Sequence, residues 1–153
     1  MNAESFEHIL RTQIPIAWIA GVRFESYDGE TFKVFLEHDF LNQNPFGSIF
    51  WAVEGMAAEF AGGVMLLDKI EATGKNISML VINNEAVFNK KAKGKIIFTC
   101  NEGKKIEDEV QKTIESGTPS VFELTSTGTD ESGDVVAEFI FNWSIKVREQ
   151  SIT

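Results

Sequence analysis

The chain has 153 residues, with 23 Asp and Glu against 14 Lys and Arg, so its formal net charge is −9. That acidic balance argues against a general nucleic-acid-binding protein, which needs a basic surface. The hydrophobic content of 43% is too high for a disordered chain. A single cysteine, Cys100, excludes an intramolecular disulfide and a thiolate metal site, and it is typical of a reducing compartment. The length predicts one domain, residues 1–153, around one core.

Targeting and cofactor signals are missing from the sequence. No segment has the basic start and apolar run of a signal peptide, or the ~20 apolar residues of a membrane span. The two histidines are too far apart for a metal site, and no phosphate-binding or dinucleotide motif occurs. We therefore expect a cytoplasmic protein that binds no metal and no cofactor of its own.

The first third of the chain predicts a helix followed by two strands. Apolar residues fall at helical spacing from Phe6 to Ile14, and Pro15 ends the pattern. Residues 22–27 and 32–37 then alternate between apolar and polar, and the turn sequence Asp28-Gly29 joins them as a hairpin.

A long helix is predicted next, with Ser48 as a candidate N-cap. Its apolar residues step by three and four positions and form one continuous stripe, namely Ile49, Val53, Met56, Phe60, Val64 and Leu67. This is the longest and most hydrophobic helix that the sequence predicts.

The second half of the chain consists mainly of strands. We predict strands at residues 77–88, 94–100, 121–129 and 135–147, with an amphipathic helix at 103–116 and a hairpin at 130–134. A long apolar helix beside about six antiparallel strands predicts an α+β fold in which a curved sheet wraps around that helix.

The long helix has a second face that contains small residues and one acid. This face comprises Ala52, Gly55, Glu59, Gly62, Gly63 and Leu66. Each glycine costs about 1 kcal/mol in a helix interior relative to alanine, so a packing reason is expected. Close packing would desolvate Glu59 and raise its pKa, which suits a general base. The structural alternative is a hydrogen bond from Glu59 to neighbouring backbone or to a partner subunit. Glu54, on the opposite flank, is most simply a solvent or interface carboxylate.

Two segments carry a family resemblance. Residues 44–61 (NPFGSIFWAVEGMAAEFA) resemble the loop and central helix of hotdog-fold thioesterases, in a branch with the pattern Asn-x-x-Gly-Thr-x-x-x-(Gly/Ala) and an acid deeper in the helix. Residues 88–96 (FNKKAKGKI) resemble a second signature of that branch, an aromatic and basic residues followed by Ala-x-Gly before a strand. With the matching order of elements, the resemblance covers roughly residues 10–147.

The resemblance implies a homodimer in which two sheets join edge to edge and the long helices lie side by side, with further pairing into a tetramer left open. It places the active site at the dimer interface, near the start of the helix. Glu59 would position or activate water, and the backbone N–H of Trp51 would hold the thioester oxygen, assisted by the helix dipole. Gly47, Ser48 and Phe50 are the further substrate contacts expected in this segment.

The chain departs from the better-known relatives, which carry His-Gly-Gly where this sequence has Phe50-Trp51-Ala52. The backbone N–H groups survive this replacement, but the entrance becomes more crowded and more apolar. The departure bears on catalysis more than on the binding of an acyl chain.

Asn44 has two open interpretations, a hydrogen bond to the thioester or catalytic water and ordinary turn chemistry. His38 could reach the same loop, although a lone histidine is usually structural.

A cluster of basic residues follows the third predicted strand. Lys90, Lys91 and Lys93 could meet the phosphates of coenzyme A or the acidic surface of an acyl carrier protein. The alternative is a solvated hairpin turn that discourages edge pairing.

Three functions remain open from the sequence. The leading hypothesis is hydrolysis of an acyl thioester, with coenzyme A as part of the substrate rather than a cofactor. The second is a non-catalytic protein that binds acyl or aromatic ligands. Hydratase chemistry ranks last, because it requires a catalytic histidine and only His38 is available.

Overall fold

The structure, a computed structural model, describes residues 1–149. Its elements in chain order are α1 (Ala3–Gln13), α2 (Pro15–Ala20), β1 (Arg23–Tyr27), β2 (Phe32–Glu37), α3 (Trp51–Ala72), β3 (Ile77–Phe88), β4 (Lys95–Cys100), α4 (Gly103–Ser116), β5 (Ser120–Thr129) and β6 (Val135–Val147). None of the helices in this part of the chain is long and apolar enough to cross a membrane.

The six strands form one antiparallel sheet in the order β1-β2-β4-β5-β6-β3. The predicted α+β architecture and the number of strands are therefore confirmed. The hairpins at Asp28-Gly29 and at residues 130–134 are confirmed as well, because β1 pairs with β2 and β5 pairs with β6. β1 and β3 are the two edge strands.

Helix α3 packs against the sheet through its glycines. A Cβ atom at Gly63 would lie 2.9 Å from Cζ2 of Trp143, and one at Gly62 would lie 3.2 Å from Cδ1 of Leu124. The predicted packing reason for these glycines is confirmed, although side chains of the sheet, rather than another backbone, make the close approach. Cys100 is fully buried beside Gly62, as expected for a small apolar residue in a strand.

The start of α3 differs from the prediction. The helix begins at Trp51, and its N-cap residue, Phe50, makes no side-chain capping bond. Ser48 is therefore not the cap; its hydroxyl bonds to Asn44 instead. The loop before α3 is consequently longer than the apolar pattern indicated.

Two further segments differ from the predictions. Pro15 ends α1, as predicted, but it also begins the additional short helix α2, because the fixed φ of proline suits the first position of a helix. The basic segment 89–94 is not a hairpin turn. It connects β3 to β4, and two other strands, β5 and β6, separate these in the sheet.

Candidate functional site

A pocket of about 530 Å³ lies at the N-terminal end of α3. Its walls come from the loop before the helix, from the first turn of the helix, and from the connection after β3. The residues that line it are Asn44, Pro45, Phe46, Ser48, Ile49, Phe50, Trp51, Glu54, Phe88, Asn89, Lys90, Lys91 and Ala92. A backbone hydrogen bond of 2.9 Å from the N–H of Ile49 to the carbonyl of Ala92 holds the two loops together.

Asn44 shapes the loop on one side of the pocket. Its side-chain oxygen accepts a hydrogen bond from the N–H of Phe46 at 2.9 Å, and its amide donates to the hydroxyl of Ser48 at 2.9 Å and to the carbonyl of Ile49 at 3.3 Å. Both ends of the amide are engaged within the loop. Of the two readings of Asn44, the structure therefore displays the turn chemistry, which fixes the path of the chain into α3.

In the described chain, the first turn of α3 has two unpaired backbone donors, and one of them belongs to Trp51, which lines the pocket. The N–H groups of Val53 and Glu54 both bond to the carbonyl of Phe50, at 2.9 and 3.2 Å. Within residues 1–149 the N–H groups of Trp51 and Ala52 have no acceptor. Unpaired N–H groups and the positive end of the helix dipole favour an oxygen that carries negative charge.

Glu54 lies in the wall of the pocket. Side chains of a helix tilt toward its N-terminus, so that of Glu54 points back over the first turn. The residue is only 4% exposed, and its Oε1 is buried without a hydrogen-bond partner among the described residues. Burial raises the pKa of this carboxyl to about 7. Of the two expectations for Glu54, a solvent or an interface carboxylate, the first is wrong, because the side chain is buried within the described chain.

Glu59 does not line this pocket. It is half-buried on the flank of α3 that faces β6, where its Cγ lies beside Gly63 and the ring of Trp143. It makes no ion pair within the described residues, and burial raises the pKa of its carboxyl. The predicted desolvation is thus confirmed, but within one chain Glu59 and the free N–H of Trp51 do not share a cavity.

The three lysines proposed as phosphate contacts differ in their surroundings. Lys90 donates hydrogen bonds to Asp130 at 2.6 Å and to Asp134 at 2.8 Å, and the bond to Asp130 is the main cause that raises the pKa of this lysine to about 12. Lys91 pairs with no carboxylate in residues 1–149, and its Nζ lies 5.8 Å from the centroid of the Phe46 ring. Lys93 is exposed and lies outside the pocket lining.

The pocket brings together most of the site residues that the sequence indicates, namely Asn44, Ser48, Phe50, Trp51, Lys90 and Lys91. Gly47 lies outside the lining, in the turn of the same loop, where its φ of 71° suits glycine. His38 does not line the pocket, and its buried Nε2 has no partner in the described residues. No cluster of metal-ligating side chains occurs in residues 1–149.

Sequence reasoning found Phe50 and Trp51 but missed two other aromatic residues of the lining. Phe46 and Phe88 contribute rings from two segments that are far apart in sequence, and the buried Ala92 lines the same pocket. A signal existed for both rings, since Phe46 lies inside one family-like segment and Phe88 begins the other. Only the fold shows that these two segments face the same cavity.

Comparison with known proteins places the chain in a family and a fold. The family described as "Domain of unknown function (DUF4442)" matches residues 2–145. No curated protein matches the chain. A crystal structure from Pseudomonas aeruginosa, described as a protein of unknown function and probable thioesterase, is 22% identical, with a TM-score of 0.83 over 97% of both chains.

Two further solved structures are similar. A thioesterase from Haemophilus influenzae is 11% identical, with a TM-score of 0.73 over 100% of this chain and 96% of that one. A thioesterase from Staphylococcus aureus is 15% identical, with a TM-score of 0.64 over 91% of this chain and 98% of that one. The hotdog fold predicted from the sequence is therefore confirmed.

Proposed function

We propose that this chain, which belongs to the DUF4442 family, hydrolyses an acyl thioester of coenzyme A or of an acyl carrier protein. The observation that carries this proposal is the mainly apolar pocket at the start of α3, which is lined by Trp51, a residue whose backbone N–H has no acceptor among the described residues. Acyl transfer from a thioester develops negative charge on the carbonyl oxygen, and such donors stabilise that charge.

In this proposal the N–H of Trp51 is the main oxyanion donor. It has no acceptor among the described residues and lies at the positive end of a helix of 22 residues. Because the donor is a backbone group, the replacement of glycine by tryptophan at this position does not remove it. Asn44 acts indirectly by holding the loop, with Gly47 and Ser48, and Phe50 contacts the acyl group.

Glu59 is the proposed general base. Because it does not line the pocket of its own chain, the proposal requires the Glu59 side chain of a second copy to reach that pocket. Within one protomer Glu59 faces the β6 flank, so a dimer interface at that flank would bring it to the partner's helix start. One support comes from spacing. In the Staphylococcus aureus thioesterase, one structure replaces a glutamine by alanine, and another replaces a glutamate fifteen positions further on. Asn44 and Glu59 are also fifteen positions apart.

The proposed assembly is a homodimer formed through the edge strand β3, with further pairing into a tetramer open, and the proposed compartment is the cytoplasm. β3 lies at the edge of the sheet next to β6, and its large apolar side chains are exposed, including Leu80 at 67% and Val87 at 63%. A long apolar edge strand is a template for pairing with another chain.

Lys91 and Lys93 are the proposed contacts for the phosphates of the carrier. Neither pairs with a carboxylate of the described chain, and both follow the pocket lining at Phe88. Lys90 is a weaker candidate than the sequence suggests, because Asp130 and Asp134 already neutralise it.

A second candidate function is the binding of an acyl or aromatic ligand without catalysis. It is favoured by the crowded aromatic helix start, Phe50-Trp51-Ala52, and by the absence of Glu59 from the pocket of the described chain. Hydratase chemistry has less support, because His38 does not line the pocket either.

The deciding experiment is hydrolysis of a panel of aliphatic and aryl acyl-CoAs by the wild type and by Glu59→Gln. We expect turnover by the wild type and a loss of roughly 10²- to 10⁴-fold in kcat for the variant, the range of a lost general base. Glu71→Gln, an exposed glutamate near the other end of α3, is the matched control and should retain activity. Ligand binding without turnover would favour the second candidate, and full activity in Glu59→Gln would reject the proposed base.

A further inference from the structure

The pocket contains a carboxyl group for which the described chain supplies no partner. Glu54 is only 4% exposed, and no donor within residues 1–149 bonds to its Oε1. Burial raises the pKa of this carboxyl, and no lysine or arginine within residues 1–149 forms an ion pair with it. Glu54 is also unused by the proposed thioester chemistry, which assigns the base to Glu59.

An unpartnered buried carboxyl is costly, and native structures rarely keep one without a reason. A leucine or glutamine at this position would fill the same wall of the cavity at a lower desolvation cost. We therefore looked for a ligand group that would complete the hydrogen bonding of Glu54. The group must be a donor, because a carboxyl oxygen can accept in either protonation state.

The rim of the pocket indicates that this donor is a cation. Four aromatic side chains line the cavity and are much more exposed than Glu54: Phe46 at 74%, Phe50 at 45%, Trp51 at 57% and Phe88 at 48%. Aromatic faces attract ammonium groups, and more strongly where water is excluded. An organic cation fits both features of the pocket, because the rings attract its charge and the carboxylate accepts its hydrogen bond.

The basic residues of the pocket do not supply that cation themselves. Lys90 is held by Asp130 and Asp134, and Lys91 extends over Phe46 at the rim. These lysines are exposed, so solvent and salt screen their repulsion of a bound ammonium. Their charge is placed to meet an anionic carrier outside the pocket.

We propose that the pocket selects an acyl group that carries a primary ammonium, which donates to the carboxylate of Glu54 between the aromatic side chains of the rim. The identification of this ligand as an acyl group rests on the proposed function; the ammonium preference rests on the pocket alone. A plain hydrocarbon group would leave Glu54 unpaired. A hydroxyl group would supply a hydrogen bond but no charge, so the aromatic rings would add little.

The test uses three phenacyl-CoA thioethers, in which a methylene group between carbonyl and sulfur prevents hydrolysis. They carry a 4-aminomethyl, a 4-hydroxymethyl or a 4-ethyl substituent and are nearly equal in size. By calorimetry at pH 7.5 we expect the aminomethyl compound to bind at least about tenfold more tightly than the other two, the worth of a charged hydrogen bond. Equal affinities, or a preference for the hydroxymethyl or ethyl compound, would overturn the proposal.

Two variants separate recognition by Glu54 from a structural role. Glu54→Gln should bind the three compounds with similar affinities, whereas Glu71→Gln should keep the preference of the wild type. A preference that survives in a folded Glu54→Gln would overturn the proposal as well. Because the comparison among compounds is made on the wild type, it holds even if the variant is unstable.

Turnover distinguishes a failure of this proposal from a failure of the proposed function. If the corresponding benzoyl-CoA thioesters are hydrolysed without regard to the substituent, the thioesterase proposal stands and the ammonium preference is wrong. If the aminomethyl thioether binds selectively but no thioester is hydrolysed, the preference is right and the pocket belongs to a binding protein.

Discussion

Glu54 carries a carboxyl group that the fold encloses without giving it a hydrogen-bond donor. Such a group lowers stability whenever it is ionised, because the unfolded chain solvates the charge and the folded chain does not. The residue is therefore costly in the absence of a ligand, and a cationic ligand would relieve the cost. Stability and recognition can be tested on the same side chain.

The stability of the protein should fall with rising pH because of Glu54. Its pKa is about 7 in the folded chain and 4.5 for the unperturbed group, so the folded state holds the proton more tightly. Stability is unaffected below the lower value, declines between the two, and levels off above pH 7. With partial screening by water at the pocket, the full loss is about 1–3 kcal/mol.

Glu54→Gln removes this dependence. Urea unfolding between pH 4.5 and 8 should show the variant and the wild type nearly equal at the acidic end, with the variant more stable at pH 8. Glu71→Gln should follow the wild type at every pH. A difference between Glu54→Gln and the wild type that does not change with pH would contradict the assignment.

The position of Glu54 shows what sequence alone cannot supply at the residue scale. The helical period separates Glu54 from the apolar stripe of α3, and on that basis alone it would be predicted to face solvent. Yet Glu54 is buried, and it shares its pocket with residues 88–92, more than thirty positions away in the chain. Periodicity describes one element at a time and does not report which loop covers it.

At the scale of elements, the strands and α4 were predictable because their patterns are set by burial on one face. β6 is the clearest case, since Phe139, Phe141 and Trp143 are all buried on the face that the alternation indicated. The start of α3 was not predictable, because Ser48 has the chemistry of a cap and only its bond to Asn44 shows its role. Likewise, Pro15 can end one helix or begin another, and the sequence does not show that it does both.

The glycines of α3 offer a test of helix packing with an internal control. Gly63→Ala should destabilise the protein by about 1–3 kcal/mol, because its Cβ would approach within 2.9 Å of Trp143 in a closely packed region. Gly55→Ala places its Cβ 3.5 Å from Phe139, an ordinary contact, and should gain up to about 1 kcal/mol from helix propensity. Urea denaturation measures both. Equal effects of the two substitutions would show that the sheet yields to the added methyl group at Gly63.

At the scale of the whole molecule, the proposed function divides the site between two copies of the chain. In that proposal the pocket of one copy provides the oxyanion donor and the acyl cavity, and the other copy provides Glu59, which faces the β6 flank within its own chain. The exposed apolar residues of β3, the strand next to β6, lie at the edge of the sheet. A dimer formed through β3 would therefore both cover the apolar edge and complete the site. Substitutions that break the dimer should then also abolish activity.

Leu80→Asp tests this coupling, because Leu80 is 67% exposed on the edge strand and would be enclosed by a second copy. A carboxylate enclosed there without a partner should weaken dimerisation by roughly 30-fold or more. Light scattering coupled to size exclusion should give a dimer for the wild type and a shift to monomer on dilution of the variant. Hydrolysis should fall in proportion to the dimer.

Val121→Asp is the control, since Val121 is also an exposed apolar residue, 56% exposed, but lies on β5 in the interior of the sheet. It should leave the dimer intact, and a change from four copies to two in this variant alone would locate a tetramer contact on that face. A monomeric wild type at micromolar concentration that still hydrolyses acyl-CoA would refute the shared site. In that case the working acid must come from the same chain as the pocket, and Glu54 is the carboxylate that lines it.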